Sequence, residues 1–184
     1  MSMERSVVFA GFGGQGLLFA GQILARAAIR DGLEVFWIPS YGPEMRGGTA
    51  SCTVIVGDGQ IGSPVVDRYD AAVVMNPPSL ARFGPRVAVG GLLIVNESLV
   101  EASAGRTDID ELRLPCIRLA AGAGDDSLVS VVALGALVGR LNLVSAEAVR
   151  DAIRQAVAAK RPEILEADLA AFEAGCAAST PITA

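Results

Sequence analysis

Residues 7–16 run Val7-Val8-Phe9-Ala10-Gly11-Phe12-Gly13-Gly14-Gln15-Gly16, and a helical apolar pattern starts at Leu17. An apolar run that ends in clustered glycines and passes at once into a helix makes a strand, a tight turn and a helix N-terminus. Such a turn exposes backbone N–H groups, and the helix dipole adds positive potential beside them. Gly11, Gly13 and Gly16 also fit the G-x-G-x-x-G spacing. Two readings remain open. The turn either binds an anion, such as the phosphate of a nucleotide-like ligand, or is purely structural, since any tight strand-to-helix turn favours glycine. Dinucleotide folds carry an acidic residue about 20 residues further on, at the end of the second strand, where it holds the ribose. Here that strand reads Val35-Phe36-Trp37-Ile38 and ends in Pro39-Ser40, while Glu34 stands at its start. A phosphate fits this pattern; NAD does not.

The 184 residues are 52% hydrophobic and 19% charged, and mean hydropathy is +0.47. A sheet buried on both faces and a surface covered by partner subunits both produce that composition. Leu128 to Gly139 falls short of the roughly 18 to 20 apolar residues a membrane span needs. The segment Met1 to Arg5 lacks a signal-peptide layout, so a cytoplasmic protein is expected. Net charge is −5 with no Lys/Arg cluster, which argues against nucleic acid. The chain has no histidine, which excludes Ser-His-Asp and Cys-His nucleophilic sites and imidazole metal ligation. Cys52, Cys116 and Cys176 stand alone and form no C-x-x-C pair, so this chain by itself holds no four-cysteine cluster. They read as ordinary thiols in a reducing compartment.

Alternating apolar runs and helical patterns predict an α/β fold in a single domain, residues 1–184. It is a three-layer, Rossmann-like sandwich with a mainly parallel sheet and a helical C-terminal third. Strands are expected at 7–10, 35–38, 50–56, 71–75, 92–95 and 116–119. Helices are expected at 17–30 (closed by Asp31-Gly32), from Pro77, at 128–141, from Ser145 to about 159, and at 163–174 with Gly175 as cap. The end, from Ser179 to Pro181, should fray. Ligands of open α/β sheets bind beyond the C-terminal strand ends. Three unusual segments fall there: 11–16, 40–49 and 76–79. Within them, Tyr41 offers an aromatic. Arg46 offers a guanidinium for a phosphate or carboxylate, or for an ion pair with Glu44 or a partner. Asn76 offers a donor and an acceptor, or a helix cap before Pro77.

These segments resemble the gamma subunit of the 2-oxoacid:ferredoxin oxidoreductases. The matching stretches are Gly11-Phe12-Gly13-Gly14-Gln15-Gly16, Ile38 to Ala50, Asn76-Pro77-Pro78-Ser79-Leu80, and Ala133-Leu134-Gly135-Ala136-Leu137. They occur in the family's order and cover the chain from residue 7 to about 175. The stretch Pro39-Ser40-Tyr41-Gly42-Pro43-Glu44-Met45-Arg46-Gly47-Gly48 is most similar to the 2-oxoglutarate-type branch. The resemblance implies oxidative decarboxylation of a 2-oxoacid to acyl-coenzyme A. Thiamine diphosphate, magnesium and 4Fe-4S clusters would sit on partner alpha and beta subunits, with ferredoxin or a similar acceptor reached through the complex. Coenzyme A is then the phosphate-bearing co-substrate. Gly11, Gly13, Gly14, Gln15, Gly16, Tyr41, Arg46 and Asn76 are its candidate contacts, and none is catalytic. The family often has asparagines where this chain has the stretch from Ser127 to Ser130 and Asp168. A ligand-free structural subunit, the same role for pyruvate or a branched-chain 2-oxoacid, and a free-standing nucleotide-binding protein are the alternatives.

Overall fold

The computed structural model describes residues 3–42, 48–158 and 161–179. The β1 strand (Glu4–Phe12) is the centre of the architecture, and its residues Val7 to Ala10 are all fully buried. Side chains alternate across a strand. Val7 and Phe9 therefore enter one core while Val8 and Ala10 enter another on the opposite face. The six-stranded sheet has the order β2 (Glu34–Tyr41), β3 (Thr49–Gly57), β1, β4 (Tyr69–Val74), β5 (Val87–Asn96), β6 (Asp110–Leu114). β1, β4, β5 and β6 pair in parallel, and β3 runs antiparallel to both β1 and β2. Five of the six strands therefore point the same way, and the mainly parallel sheet is as expected.

The larger layer over this sheet consists of α1 (Leu17–Arg30), α3 (Cys116–Gly122), α4 (Val129–Leu141), α5 (Ala146–Ala158) and α6 (Leu165–Ser179). The opposite face carries α2 (Pro77–Phe83), with Leu80 and Phe83 against Val8, Ala10 and Val74. Successive strands β1 and β4 thus send their helices to opposite faces. This is the topological switch at which α/β sheets open a crevice. Gly32 closes α1 in the left-handed region, at φ 78°, as its place after the helix requires. The Ser145 hydroxyl accepts from Ala148 N at 3.2 Å and caps α5.

Two expectations fail. The segment 116–119 is the start of α3, and the sixth strand lies just before it at Asp110–Leu114. That strand, Asp-Glu-Leu-Arg-Leu, is a half-buried edge with three charges, so it lacks the apolar run of its neighbours. Gly175 does not cap a helix, because α6 continues through it to Ser179. Its missing side chain serves a close helix crossing instead. A Cβ there would collide with the Val132 carbonyl oxygen and lie 2.8 Å from its carbon. Across the same contact, a Cβ on Gly135 would lie 3.0 Å from Cys176 N. Thr180 and Pro181 lie outside the described residues.

The crossing predicts a clear contrast. Gly175→Ala must force the α4 and α6 backbones apart and should destabilise the chain by about 2 to 3 kcal/mol. Gly122→Ala meets no atom within 4 Å and should be neutral or stabilising by roughly 0.5 kcal/mol. Urea midpoints of the two variants check this; equal midpoints would refute the account.

Candidate functional site

The three segments expected at strand ends do converge. Phe12, at the end of β1, pairs with Thr49, and Tyr41, at the end of β2, pairs with Ala50. Gly13 N donates to Gly48 O at 3.0 Å, and Met75 N donates to Ala10 O at 2.9 Å. The turn after β1, the adjoining ends of β2 and β3 and the end of β4 therefore share one edge of the sheet.

Within the turn the residues divide by role. Gln15 Oε1 accepts from Phe12 N at 2.7 Å, so the glutamine folds back and pins the turn from inside. Gly11 is buried under it, where a Cβ would lie 2.9 Å from Met75 Cβ and 3.0 Å from Leu17 Cδ1. Gly14 and Gly16 have φ of 92° and 75°, a region that penalises a side chain. Gly16 also abuts Ser130, whose Oγ would lie 2.5 Å from a Cβ there. Gly13 differs from the others. It is exposed, its φ is ordinary, and the nearest atom to a Cβ there is Gly48 O at 3.9 Å. The N–H groups of Gly14, Gly16, Leu17, Leu18 and Phe19 meet no acceptor among the described residues. A donor cluster at a helix N-terminus accepts an anion.

Tyr41 is 70% exposed beside this edge. Asn76 is fully buried, and its Oδ1 accepts from Ser79 N at 2.8 Å, so it caps α2. Its Nδ2 has no partner. Arg46 and Glu44 lie outside the described residues.

Motif reading missed a cavity of about 540 Å³, within the range of ligand sites. It lies beside the turn, between α1, α4, α5 and α6. Gly14 and Gly16 open onto it, and Phe19, Gln22 and Arg26 line it from one stripe of α1. Ser130, Arg161 and Asp168 line it as well. The stretch from Ser127 to Ser130 and Asp168, the two places where the sequence departs from the family pattern, meet here. Because Gly16 touches Ser130, the N-terminus of α4 lies beside that of α1. Arg26 makes no ion pair among the described residues, and Arg161 lies 3.6 Å from Glu163 in an exposed pair. Asp168 is 1% exposed, and its Oδ2 has no hydrogen-bond partner among the described residues. Burial, with Asp125 nearby, pushes its carboxyl up from 3.8 to about 6, against the pull of Arg161. A carboxylate on an otherwise apolar helix face was the one signal in the sequence that pointed here.

Burial also pushes the Cys52 and Cys116 thiols up to about 12, and Cys176 to about 11. Burial therefore disfavours their reactive thiolate forms. Among the described residues, no three His, Cys, Asp or Glu side chains assemble as a metal site. No helix is long and apolar enough to cross a membrane.

The raised Asp168 pKa has a definite sign. Ionisation is harder in the fold than in the unfolded chain, so stability is complete below about pH 4 and falls as pH rises to about 6. Asp168→Asn should match the native chain near pH 4 and exceed it by on the order of 2 kcal/mol at pH 8. Urea unfolding at both pH values measures the gap; a gap that does not grow with pH contradicts this account.

Known proteins show where this arrangement recurs. The family model for pyruvate ferredoxin/flavodoxin oxidoreductase matches residues 6–178. A ketoisovalerate oxidoreductase subunit, VorA, of Methanothermobacter thermautotrophicus is 38% identical over 173 residues, 94% of this chain but 36% of that one. The chain thus spans about a third of that relative's length. A 2-oxoglutarate synthase subunit, KorC, of Methanothermobacter marburgensis is 34% identical over 180 residues, covering 94% of this chain and 95% of its own. The gamma subunit of a keto/oxoacid ferredoxin oxidoreductase from Geobacter sulfurreducens superposes with TM-score 0.83 at 32% identity, covering 95% of this chain and 98% of that one. With the glycine turn, sheet order and helical third in place, the chain belongs to the pyruvate ferredoxin/flavodoxin oxidoreductase family.

Proposed function

We propose that residues 1–184 form the gamma subunit of a 2-oxoglutarate:ferredoxin oxidoreductase. In this role it supplies part of the coenzyme A site and covers the thiamine active site during oxidative decarboxylation to acyl-coenzyme A. One observation carries the coenzyme A reading. Gly13 is exposed, has an ordinary φ and, among the described residues, contacts nothing that a Cβ would disturb. Packing gives no reason for glycine there; close approach of a phosphate does. The free N–H groups beside it supply the donors, and coenzyme A is the phosphate-bearing reactant.

The division of labour follows from the side chains. Thiamine diphosphate with magnesium, and the 4Fe-4S clusters, held by the alpha and beta subunits, supply the decarboxylation and the electron path to ferredoxin. This chain binds, orients and covers. Phe12 is 38% and Tyr41 70% exposed at the same strand ends. Exposed aromatics beside a binding edge fit burial under a partner surface. The 2-oxoglutarate assignment rests on the Pro39–Gly48 motif and the KorC relatives. The VorA relatives support a second reading, a branched-chain 2-oxoacid.

Three experiments test this. In the assembled complex, Gly13→Val should raise the KM for coenzyme A roughly tenfold, the size of one lost charge-assisted hydrogen bond, without lowering the urea midpoint of the chain. Unchanged coenzyme A dependence refutes the ligand role. The purified chain alone should reduce no acceptor with 2-oxoglutarate, thiamine diphosphate and coenzyme A. The complex should turn over 2-oxoglutarate in preference to 3-methyl-2-oxobutanoate; the reverse order selects the branched-chain reading.

A further inference from the structure

We infer that the outer edge of the sheet pairs with the same edge of a second copy of this chain, β2 against β2, across a two-fold axis at Phe36. The inference is independent of the coenzyme A reading.

β2 is the last strand on its side of the sheet and is bonded only to β3, in unbroken register. The ladder fixes which of its main-chain groups are free. Gly42 N donates to Thr49 O at 2.8 Å, in the same antiparallel register that pairs Tyr41 with Ala50. In such a ladder each residue turns its N–H and C=O to one side, and the side alternates along the strand. Glu34, Phe36, Ile38 and Ser40 therefore bond to β3, while Val35, Trp37, Pro39 and Tyr41 face outward. Pro39 fits this, because a strand proline stands where no ladder donor is needed. Among the described residues nothing accepts from Val35 N or Trp37 N. Residues 35–41 carry no charge, and an uncharged apolar edge is a template for another strand. The side chains add to this. Val35 and Trp37 pack onto the α1-side core, so Phe36 and Ile38 turn to the other face. Phe36 is 43% exposed there, and Ile38 joins neither core.

The free groups of this edge are complementary to themselves. With Phe36 facing Phe36 of the second copy, Val35 of each copy lies opposite Trp37 of the other, and both pairs exchange two main-chain hydrogen bonds. The next position sets Pro39 opposite Leu33. Pro39 has no N–H, and Leu33 N is already spent on Ala28 O at 2.9 Å. The pairing stops there without stranding a donor. No like charges meet, since Glu34 falls opposite Ile38, and the two exposed phenylalanines cover one another. β2 runs the same way as β1. The C-terminal sheet edges of the two copies therefore point in opposite directions, and both glycine turns stay open to partner subunits.

The test uses the full chain at roughly 100 µM, a range in which small interfaces assemble. It should sediment as a dimer. Phe36→Lys sets two ammonium groups face to face and should sediment as a monomer with an unchanged urea midpoint. An equimolar mixture of Phe36→Lys and Phe36→Glu should restore the dimer. Phe36→Cys should cross-link under mild oxidation beyond the level of the native chain. The Cα atoms of a non-hydrogen-bonded pair lie about 4.5 Å apart, within disulfide range. Ile38→Cys should not cross-link, because its own counterpart lies four residues along the strand, roughly 13 Å away. A monomeric native chain at this concentration overturns the inference. So does a dimer that survives Phe36→Lys, or one that cross-links no better at position 36 than at position 38, since either uses another surface. If the chain is monomeric and the Val35 and Trp37 amides become protected from hydrogen exchange only in the assembled complex, the edge receives a strand of a different subunit, and the inference falls as well.

Discussion

Everything in this fold takes its place from β1. It is hydrogen-bonded on both edges and buried on both faces, so its alternate residues define two cores at once. A strand in that position tolerates no polar side chain along its middle, and Val7 to Ala10 has none. At its end the chain must leave the sheet abruptly. β3 passes on one side and the end of β4 on the other, with Gly11 against Met75. The glycine turn is first a consequence of this crowding. Its exposed donors come from the same geometry, because a tight exit into a helix leaves N–H groups without carbonyl partners.

The second constraint is the close crossing of α4 and α6. Gly135 and Gly175 bring the two backbones together. The α6 residues that face inward, Asp168, Phe172, Gly175 and Ser179, follow the helical period. Asp168 is therefore buried by its register on the packing face, one to two turns before the crossing. An ionised group in that position lowers the stability of the fold above pH 6. Groups held against such a penalty cluster at functional sites, where desolvation strengthens contact with the right ligand.

Much of this was legible in the sequence, for identifiable reasons. Strands buried on both faces appear as plain apolar runs, so β1, β3 and β4 were readable. Caps announce themselves, as Gly32, Asn76 and Ser145 do. β6 was hidden because an edge strand with one wet face carries charges at the same positions a loop would. Gly175 was misread because a glycine near a helix end looks alike whether it turns the chain or admits a neighbouring backbone. The strand-end segments converged as the spacing implied, since parallel strands place their C-termini on one edge. The cavity was invisible because its walls come from four helices with no shared motif. Only the isolated carboxylate at Asp168 marked it.

The glycine motif itself shows why spacing alone under-determines function. Gly11 is glycine because Met75 and Leu17 occupy the space of a side chain. Gly14 and Gly16 are glycine because their backbone angles demand it, and Gly16 also because Ser130 is packed against it. All three would be needed in a turn that binds nothing. Among the described residues, Gly13 alone of the four combines an unstrained φ with room for a Cβ. In an unliganded turn a residue with a side chain would fit there and would reduce the entropy of the unfolded chain, which favours stability. Its being glycine is the feature of the motif that described packing leaves unaccounted for and that the proposed approach of a phosphate accounts for.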